Sequence, residues 1–341
     1  MPNNNFSIAG IGRMGMVHLE AAMKSNLTPR VVFDSDSQRA RDALSTLRLS
    51  DVLVASDINE FARLSSGDLI TIATTSPAHL ELIRMAAESG SSLIVCEKPI
   101  VNSFDEILAL RGLVEKYNLQ IAVNHQMRYL EQYTKIREWQ DGYGLGRMTT
   151  MSVSAANFGL GMNATHYFEA FRWLTNEKIR QITGWVHTQS APNVRGSQFY
   201  DYAGTLIGFN PSGAKLFIDF PEQAGHQVVV VYTFEFGKIT VNELLGEAII
   251  NVRSEEFLKL PSTRYGSPDS QFEKSFASVN LVDSTSLIYS NLIHGGDYPT
   301  WEDGAYAVQC SMAAILSSIE GGKPIDVTSS SLNDLGLLTW P

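Results

Sequence analysis

Three features of this chain have the residue types and spacing to do chemistry: a run of glycines, a lysine after an apolar strand, and a histidine at the start of a helical pattern. Gly10-Ile11-Gly12-Arg13-Met14-Gly15 is a G-x-G-x-x-G run. It follows an apolar stretch, Phe6 to Ile11, and opens a helical pattern, Met14 to Lys24. Asp34 ends the next apolar stretch, about 20 residues past the glycines, which completes a dinucleotide-binding fingerprint. The glycines let the backbone approach a pyrophosphate, and the helix N-terminus supplies N–H groups and partial positive charge. Gly10, Gly12, Arg13, Met14, Gly15 and Asp34 are therefore the cofactor-binding candidates; the alternative is a glycine-rich turn with no ligand. A carboxylate at Asp34 suits ribose hydroxyls and repels a 2′-phosphate, which favours NAD. Ser35 and Arg39 keep NADP open.

The second feature is Cys96-Glu97-Lys98-Pro99, at the end of the fifth apolar strand. In a doubly wound sheet the carboxyl ends of the strands face the ligand crevice. A lysine there can hold a substrate hydroxyl and stabilise the alkoxide that develops as hydride leaves. On the residues alone, a solvated surface lysine is the simpler reading. The proline allows a cis peptide after Lys98.

The third is Gly161-Met162-Asn163-Ala164-Thr165-His166-Tyr167-Phe168-Glu169. If Asn163 caps the helix, His166 sits in its first turn, where the positive helix end favours the neutral, proton-accepting imidazole. Glu169, three residues on, shares the face and is placed to orient the ring. A histidine that only packs or caps is the alternative.

The elements that must position these residues are legible in the pattern. Residues 1–125 alternate apolar strands with amphipathic helices, including capping boxes at Asp57/Glu60 and Ser103/Glu106. That rhythm predicts a parallel sheet covered on both faces. From residue 126 a second domain is expected, with the rhythm changing after about 146. It should hold a helix over 164–174 and alternating strands over 180–189, 202–209, 214–220, 227–236, 238–244 and 248–252, read as an antiparallel sheet. Residues 254–278, with Pro261, Gly266 and Pro268, read as a long irregular loop. Helices follow over 282–294 and 300–318. The expected fold class is α/β: an N-terminal Rossmann domain (1–125) plus a C-terminal α+β domain (126–341) with a large, mainly antiparallel sheet.

Composition limits the function classes. Apolar residues make up 44% of the 341 and charged residues 18%, with a formal net charge of −10. Such an acidic chain without a Lys/Arg cluster argues against nucleic acid and anionic membrane. Cys96 and Cys310, both in apolar surroundings, read as buried thiols of a reducing cytosol, and the start of the chain does not read as a signal peptide. No His/Cys/Asp set has metal-ligand spacing. The expected localisation is cytoplasmic, and the metal expectation is none.

The glycine run and the Glu-Lys-Pro, roughly ninety residues apart, together resemble the Gfo/Idh/MocA oxidoreductases, which include glucose–fructose oxidoreductase and inositol dehydrogenase. Thr75-Ser76-Pro77-Ala78-His79 is similar to the family's Pro-x-His, and Asn124-His125-Gln126-Met127-Arg128 to its segment after the sixth strand. Tyr143-Gly144-Leu145-Gly146 and Glu302-Asp303-Gly304 are looser matches. The resemblance implies a dehydrogenase acting on a sugar, cyclitol or sugar derivative with NAD(P). Lys98 and His166 would be its catalytic residues. Glu97, Ser76 and His79 would lie beside the cofactor, and Arg128, Asn163, Tyr167 and Glu169 on the substrate side. It also implies a homodimer or homotetramer built on one face of the second sheet. The family pairs its histidine with an aspartate four residues earlier, and Met162 stands there in this chain. Two other outcomes follow from that departure and from the family's range: transient oxidation during glycoside hydrolysis with no net redox change, or a non-catalytic dinucleotide or sugar sensor.

Overall fold

The computed structural model describes residues 4–190, 193, 195–258 and 269–340. The chain divides into two compact units. One holds the residues up to Gln126, Asn280–Val308 and the segment from Asn333; the other holds Met127–Val279 and Gln309–Leu332.

The first unit is built on β1 (Asn5–Ala9), α1 (Arg13–Lys24), β2 (Thr28–Phe33), α2 (Ser37–Thr46), β3 (Leu53–Val54), α3 (Ile58–Leu64), β4 (Leu69–Ile72), α4 (His79–Glu88), β5 (Leu93–Cys96), α5 (Phe104–Tyr117) and β6 (Gln120–Val123). Its six strands are parallel in the order β3-β2-β1-β4-β5-β6. β4 is buried throughout, and β1, β5 and β6 are buried after their first residue, as a sheet covered on both faces requires. Order reverses at β1/β4, which sets the crevice at their carboxyl ends. Asp36, Asp57 and Ser103 cap α2, α3 and α5 through backbone N–H groups. In both capping boxes the glutamate returns to the residue before the cap: Glu60 accepts from the Ser56 N–H and Glu106 from the Asn102 N–H.

The second unit opens with α6 (Glu131–Gly142) and β7 (Met148–Ser154). A five-residue π-helical turn (Leu160–Ala164) then leads into α7 (Thr165–Thr175). The strands β8 (Gln181–Thr188), β9 (Tyr202–Phe209), β10 (Lys215–Phe220), β11 (Val229–Phe234), β12 (Gly237–Asn242), β13 (Glu247–Arg253) and β14 (Asp269–Ser275) follow. α8 (Leu281–His294), α9 (Trp301–Ile319) and β15 (Ile325–Asp326) complete the elements. The sheet of this unit has nine strands in the order β14-β13-β12-β11-β7-β10-β9-β8-β15. Only β7 and β10 pair in parallel. The carboxyl-terminal part of α9 lies close on β8: a Cβ at Gly184 would come 2.7 Å from the Ala314 carbonyl oxygen, and the Gly184 N–H donates to Ser317.

The α/β class and both sheets match the expectation. The grouping of residues differs from a simple split at 125, because α8, the start of α9 and the final segment pack with the parallel sheet. Ser25 donates to the Ser286 carbonyl, Thr300 bridges Ala122, and the Trp340 indole donates to Asn102. The loop expected over 254–278 is also corrected. A short 3-10 turn covers 255–257, and β14 pairs in register with β13 from Arg253↔Asp269 to Glu247↔Ser275. Every β14 residue is exposed, so no apolar alternation marked it. Residues 259–268, with Pro261, Gly266 and Pro268, lie outside the described residues. α6 and the central strand β7 carried no expectation; β7 buries only Met148, Met151 and Val153 among threonines and serines. No helix among the described residues is long and apolar enough to cross a membrane.

Candidate active site

In the first unit the three glycines do different work. Gly10 has φ +92°, and a Cβ there would lie 2.6 Å from the Ala73 carbonyl carbon. A Cβ at Gly15 would lie 2.2 Å from the Gly10 carbonyl oxygen. Both are therefore required by the turn and by close packing of helix on strand. At Gly12 a Cβ would meet nothing within 4 Å. That open approach stands at the N-terminus of α1, where Gly12 is the cap and no side chain takes the first N–H groups. The seat fits a pyrophosphate. Arg13 is exposed and Met14 half-buried in the first turn.

Asp34 is buried and braces this loop. Its Oδ2 accepts from the Ile11 N–H at 2.7 Å and its Oδ1 from the Asp36 N–H at 2.8 Å. Arg39 reaches the same Oδ1 at 3.4 Å and pairs with Asp36 as well. Oδ2, with a single bond, keeps a lone pair for a ribose hydroxyl.

Glu97 and Lys98 leave the carboxyl end of β5, and the Lys98–Pro99 peptide is cis. The Glu97 side chain is buried. Its Oε1 accepts from His18 Nε2 at 3.0 Å and Asn124 Nδ2 at 2.8 Å, and its Oε2 from the Lys98 N–H at 3.3 Å. Burial alone would raise this carboxyl. The bond and charge of His18, with Asn124 and Lys98, overcome it and bring it to about 2. Beside it, burial and the Glu97 charge push the Cys96 thiol well up, so Cys96 is a core residue and no nucleophile.

Ser76 and His79 are structural pins in this geometry. The Ser76 hydroxyl donates to the Trp340 carbonyl at 3.0 Å. The buried His79 ring lies between two carbonyls, Nδ1 at 2.9 Å from Pro99 and Nε2 at 3.1 Å from Thr74. It ties the turn after β4 to the turn that carries Lys98.

In the second unit His166 is the second residue of α7, half-buried. Asn163 does not cap that helix. Its side-chain amide donates to the Phe158 carbonyl, and α7 grows from the π-helical turn with no side-chain cap of its own. The cap comes from elsewhere in the chain. Asp201, at the entry to β9 and buried, accepts from the N–H groups of Gly161 at 2.8 Å, Met162 at 2.9 Å and Tyr202 at 2.8 Å. A carboxylate thus rests on the backbone of the residue where the family's aspartate would stand. Gly159, at φ +75°, makes room for it: a Cβ there would lie 2.2 Å from Asp201 Oδ2. No local spacing announces this cap.

Glu169 and Tyr167 point into buried clusters. Glu169 is fully buried, and its Oε1 takes Arg128 Nη2 together with Arg172 Nη2 at 2.9 Å. Burial raises its carboxyl against the pull of both arginines. That oxygen is thereby engaged by guanidinium groups rather than by the His166 ring, and Arg128 is equally buried. The Tyr167 hydroxyl donates to Glu243 Oε2 at 3.1 Å, and Tyr133 donates to Glu243 Oε1. Burial, partly offset by these two phenols, raises Glu243 to about 6. Among the described residues no group of three or more His, Cys, Asp or Glu could hold a metal ion.

Proteins of known structure share this fold, and the N-terminal part also matches a family model. Residues 4–125 match the model of the Gfo/Idh/MocA oxidoreductase family, NAD-binding Rossmann fold. Among curated relatives, the rhizopine catabolism protein MocA of Rhizobium meliloti is 24% identical over 191 residues, 52% of this chain and 59% of that protein. This match therefore spans less than two thirds of MocA. Similar solved structures cover nearly the whole chain. An Agrobacterium radiobacter oxidoreductase in complex with NAD+, L-tartaric acid and magnesium has a TM-score of 0.76 at 14% identity, over 95% of this chain and 98% of that one. Levoglucosan dehydrogenase with NADH and levoglucosan gives 0.74 at 16%, over 95% and 99%. An inositol dehydrogenase homolog of Azotobacter vinelandii with NADH and myo-inositol gives 0.73 at 16%, over 94% and 97%.

Proposed function

We propose that the chain is an NAD-dependent dehydrogenase that moves a hydride between nicotinamide and a secondary alcohol or ketone of a sugar, cyclitol or related polyol. The observation that carries this reading is the Gly12 opening at the uncapped α1 N-terminus, with Glu97-Lys98 leaving the carboxyl end of β5 in the same unit. Relatives of the same fold that hold NADH with levoglucosan or myo-inositol support the substrate class. When bound, NAD supplies the hydride acceptor. Lys98 holds the substrate oxygen and stabilises its developing negative charge. His166 takes the hydroxyl proton during oxidation and returns it during reduction. Glu97 keeps a negative charge behind Lys98. Asp34 binds the adenosine ribose, which makes NAD the preferred dinucleotide over NADP.

Replacing Lys98 by Met should leave NAD binding by calorimetry intact and lower turnover by about 10²–10³-fold. Unchanged turnover would remove Lys98 from the chemistry. Asp34→Ala should weaken NAD more than NADP. The sensor reading draws on Met162, and NADH release from a polyol panel separates the two: a sensor binds NAD and turns nothing over.

The assembly is proposed to be a homodimer or homotetramer in the cytosol, where Cys96 and Cys310 stay reduced. The uncovered sheet face supports self-association. Ile207, Phe217, Val231 and Ile249 lie in one cross-strand row, with Ser152 and Thr240 between them. Sedimentation of Phe217→Glu against wild type tests this, with a monomer expected for the variant.

A further inference from the structure

His18 lies on α1, two turns past the dinucleotide seat, and is fully buried. Both ring nitrogens are engaged. Nε2 is 3.0 Å from Glu97 Oε1, and Nδ1 is 2.8 Å from the Tyr289 hydroxyl. An ionised carboxylate only accepts, so Nε2 carries the proton. The Tyr289 hydroxyl also lies 2.7 Å from Thr71 Oγ1 on β4. His18 thus donates to Glu97, whose other oxygen takes the Lys98 N–H, while on the far side of the ring Nδ1 meets the Tyr289 hydroxyl, which is bonded in turn to Thr71. Tyr289 belongs to α8, so a helix far along the chain holds the imidazole in place.

We propose that His18 is a positioning residue for Lys98: it locks the Glu97-Lys98 peptide to the helix that seats the dinucleotide, and Tyr289 fixes the ring that does so. Removing the imidazole would leave a buried carboxylate short of a donor, and the segment would relax toward other partners. Nucleotide affinity rests on the Gly12 backbone and Asp34, so it should survive. This inference rests on the dehydrogenase reading for its kinetic arm only.

The test compares His18→Leu, His18→Gln and Tyr289→Phe in the full chain. A glutamine amide reaches the Nε2 position and restores the donor to Glu97. Expected are a loss in kcat of roughly tenfold or more for His18→Leu, an NAD Kd within about threefold of wild type, and recovery of most of kcat in His18→Gln. Amide exchange of the peptide spanning 94–102, read without substrate, should quicken in His18→Leu and Tyr289→Phe but not in His18→Gln. Tyr289→Phe removes one oxygen, so it carries the exchange test if His18→Leu does not fold. Exchange like wild type in the folded variants, or a His18→Gln no better than His18→Leu, would overturn the proposal. Wild-type protein that turns over no polyol, with the exchange pattern as expected, would count against the dehydrogenase reading alone.

Discussion

Two carboxylates, one in each unit, have burial as the largest single influence and are shifted in opposite directions. Glu97 meets an imidazole, an amide and the neighbouring lysine, and its carboxyl falls to about 2. Glu243 meets two phenols, and its carboxyl rises to about 6. Desolvation is the largest influence on both, so what separates them is whether the donors carry charge. The carboxyl held low lies beside the candidate catalytic lysine. The other lies under α7, against the tyrosine next to His166. Burial by itself therefore marks neither residue as functional, and the partner set has to be read as well.

The sharpest way to strain this comparison is to remove a cation from a third buried carboxylate. Arg128→Leu leaves Glu169 with one guanidinium of its pair and should cost about 3–5 kcal/mol in denaturant unfolding. A loss under about 1 kcal/mol would mean that the arginine is dispensable to Glu169. Glu97→Gln comes next. Because the native carboxyl is depressed, its stabilisation is fully present above its ordinary value near 4.5 and is lost as pH falls toward 2. The gap between wild type and variant should reach about 3 kcal/mol at neutral pH and shrink steadily in unfolding curves taken at decreasing pH. Asp201→Ala strips the cap from the turn before His166 and should cost about 2 kcal/mol, with kcat falling while NAD affinity holds. The smallest effect belongs to Glu243→Gln, and its sign is reversed. A raised carboxyl stabilises fully below about 4.5, and that contribution is lost as pH rises through about 6. Wild type should therefore lose ground to the variant between pH 4.5 and 7, by about 2–4 °C in Tm. A gap that widens the other way would break the contrast with Glu97.

The sequence pattern is most informative where the chemistry is carried by neighbours along the chain. Gly10, Gly12 and Gly15 fall within one short run and the Glu97-Lys98 pair ends an apolar strand, so spacing shows where they sit, while Lys98 becomes a catalytic candidate only through the family resemblance. What spacing misses is support brought from far away. Nothing near His18 in the chain points to its partner Tyr289, which arrives 271 residues later. Asn163 read as a helix cap, while the actual cap, Asp201, comes from the start of β9 across 39–40 residues. Glu169 has the helical spacing to face His166, but two arginines claim its oxygen. β14 is exposed at every residue on the sheet edge, and α6 places just Gln132, Tyr133 and Ile136 inward, so neither has the apolar rhythm that identifies an element.

The return of α8 and the final segment to the parallel sheet has a consequence for biosynthesis. A ribosome finishes all six strands of that sheet by residue 123, yet Tyr289, Thr300 and Trp340, which brace it, are still unmade. At about 5–20 residues per second the nascent sheet waits on the order of ten seconds or more for those braces, with the second unit emerging in between. Chain that breaks off early therefore carries the whole glycine fingerprint on an unfinished scaffold, and a fragment cut at residue 125 is not a ready-made nucleotide module.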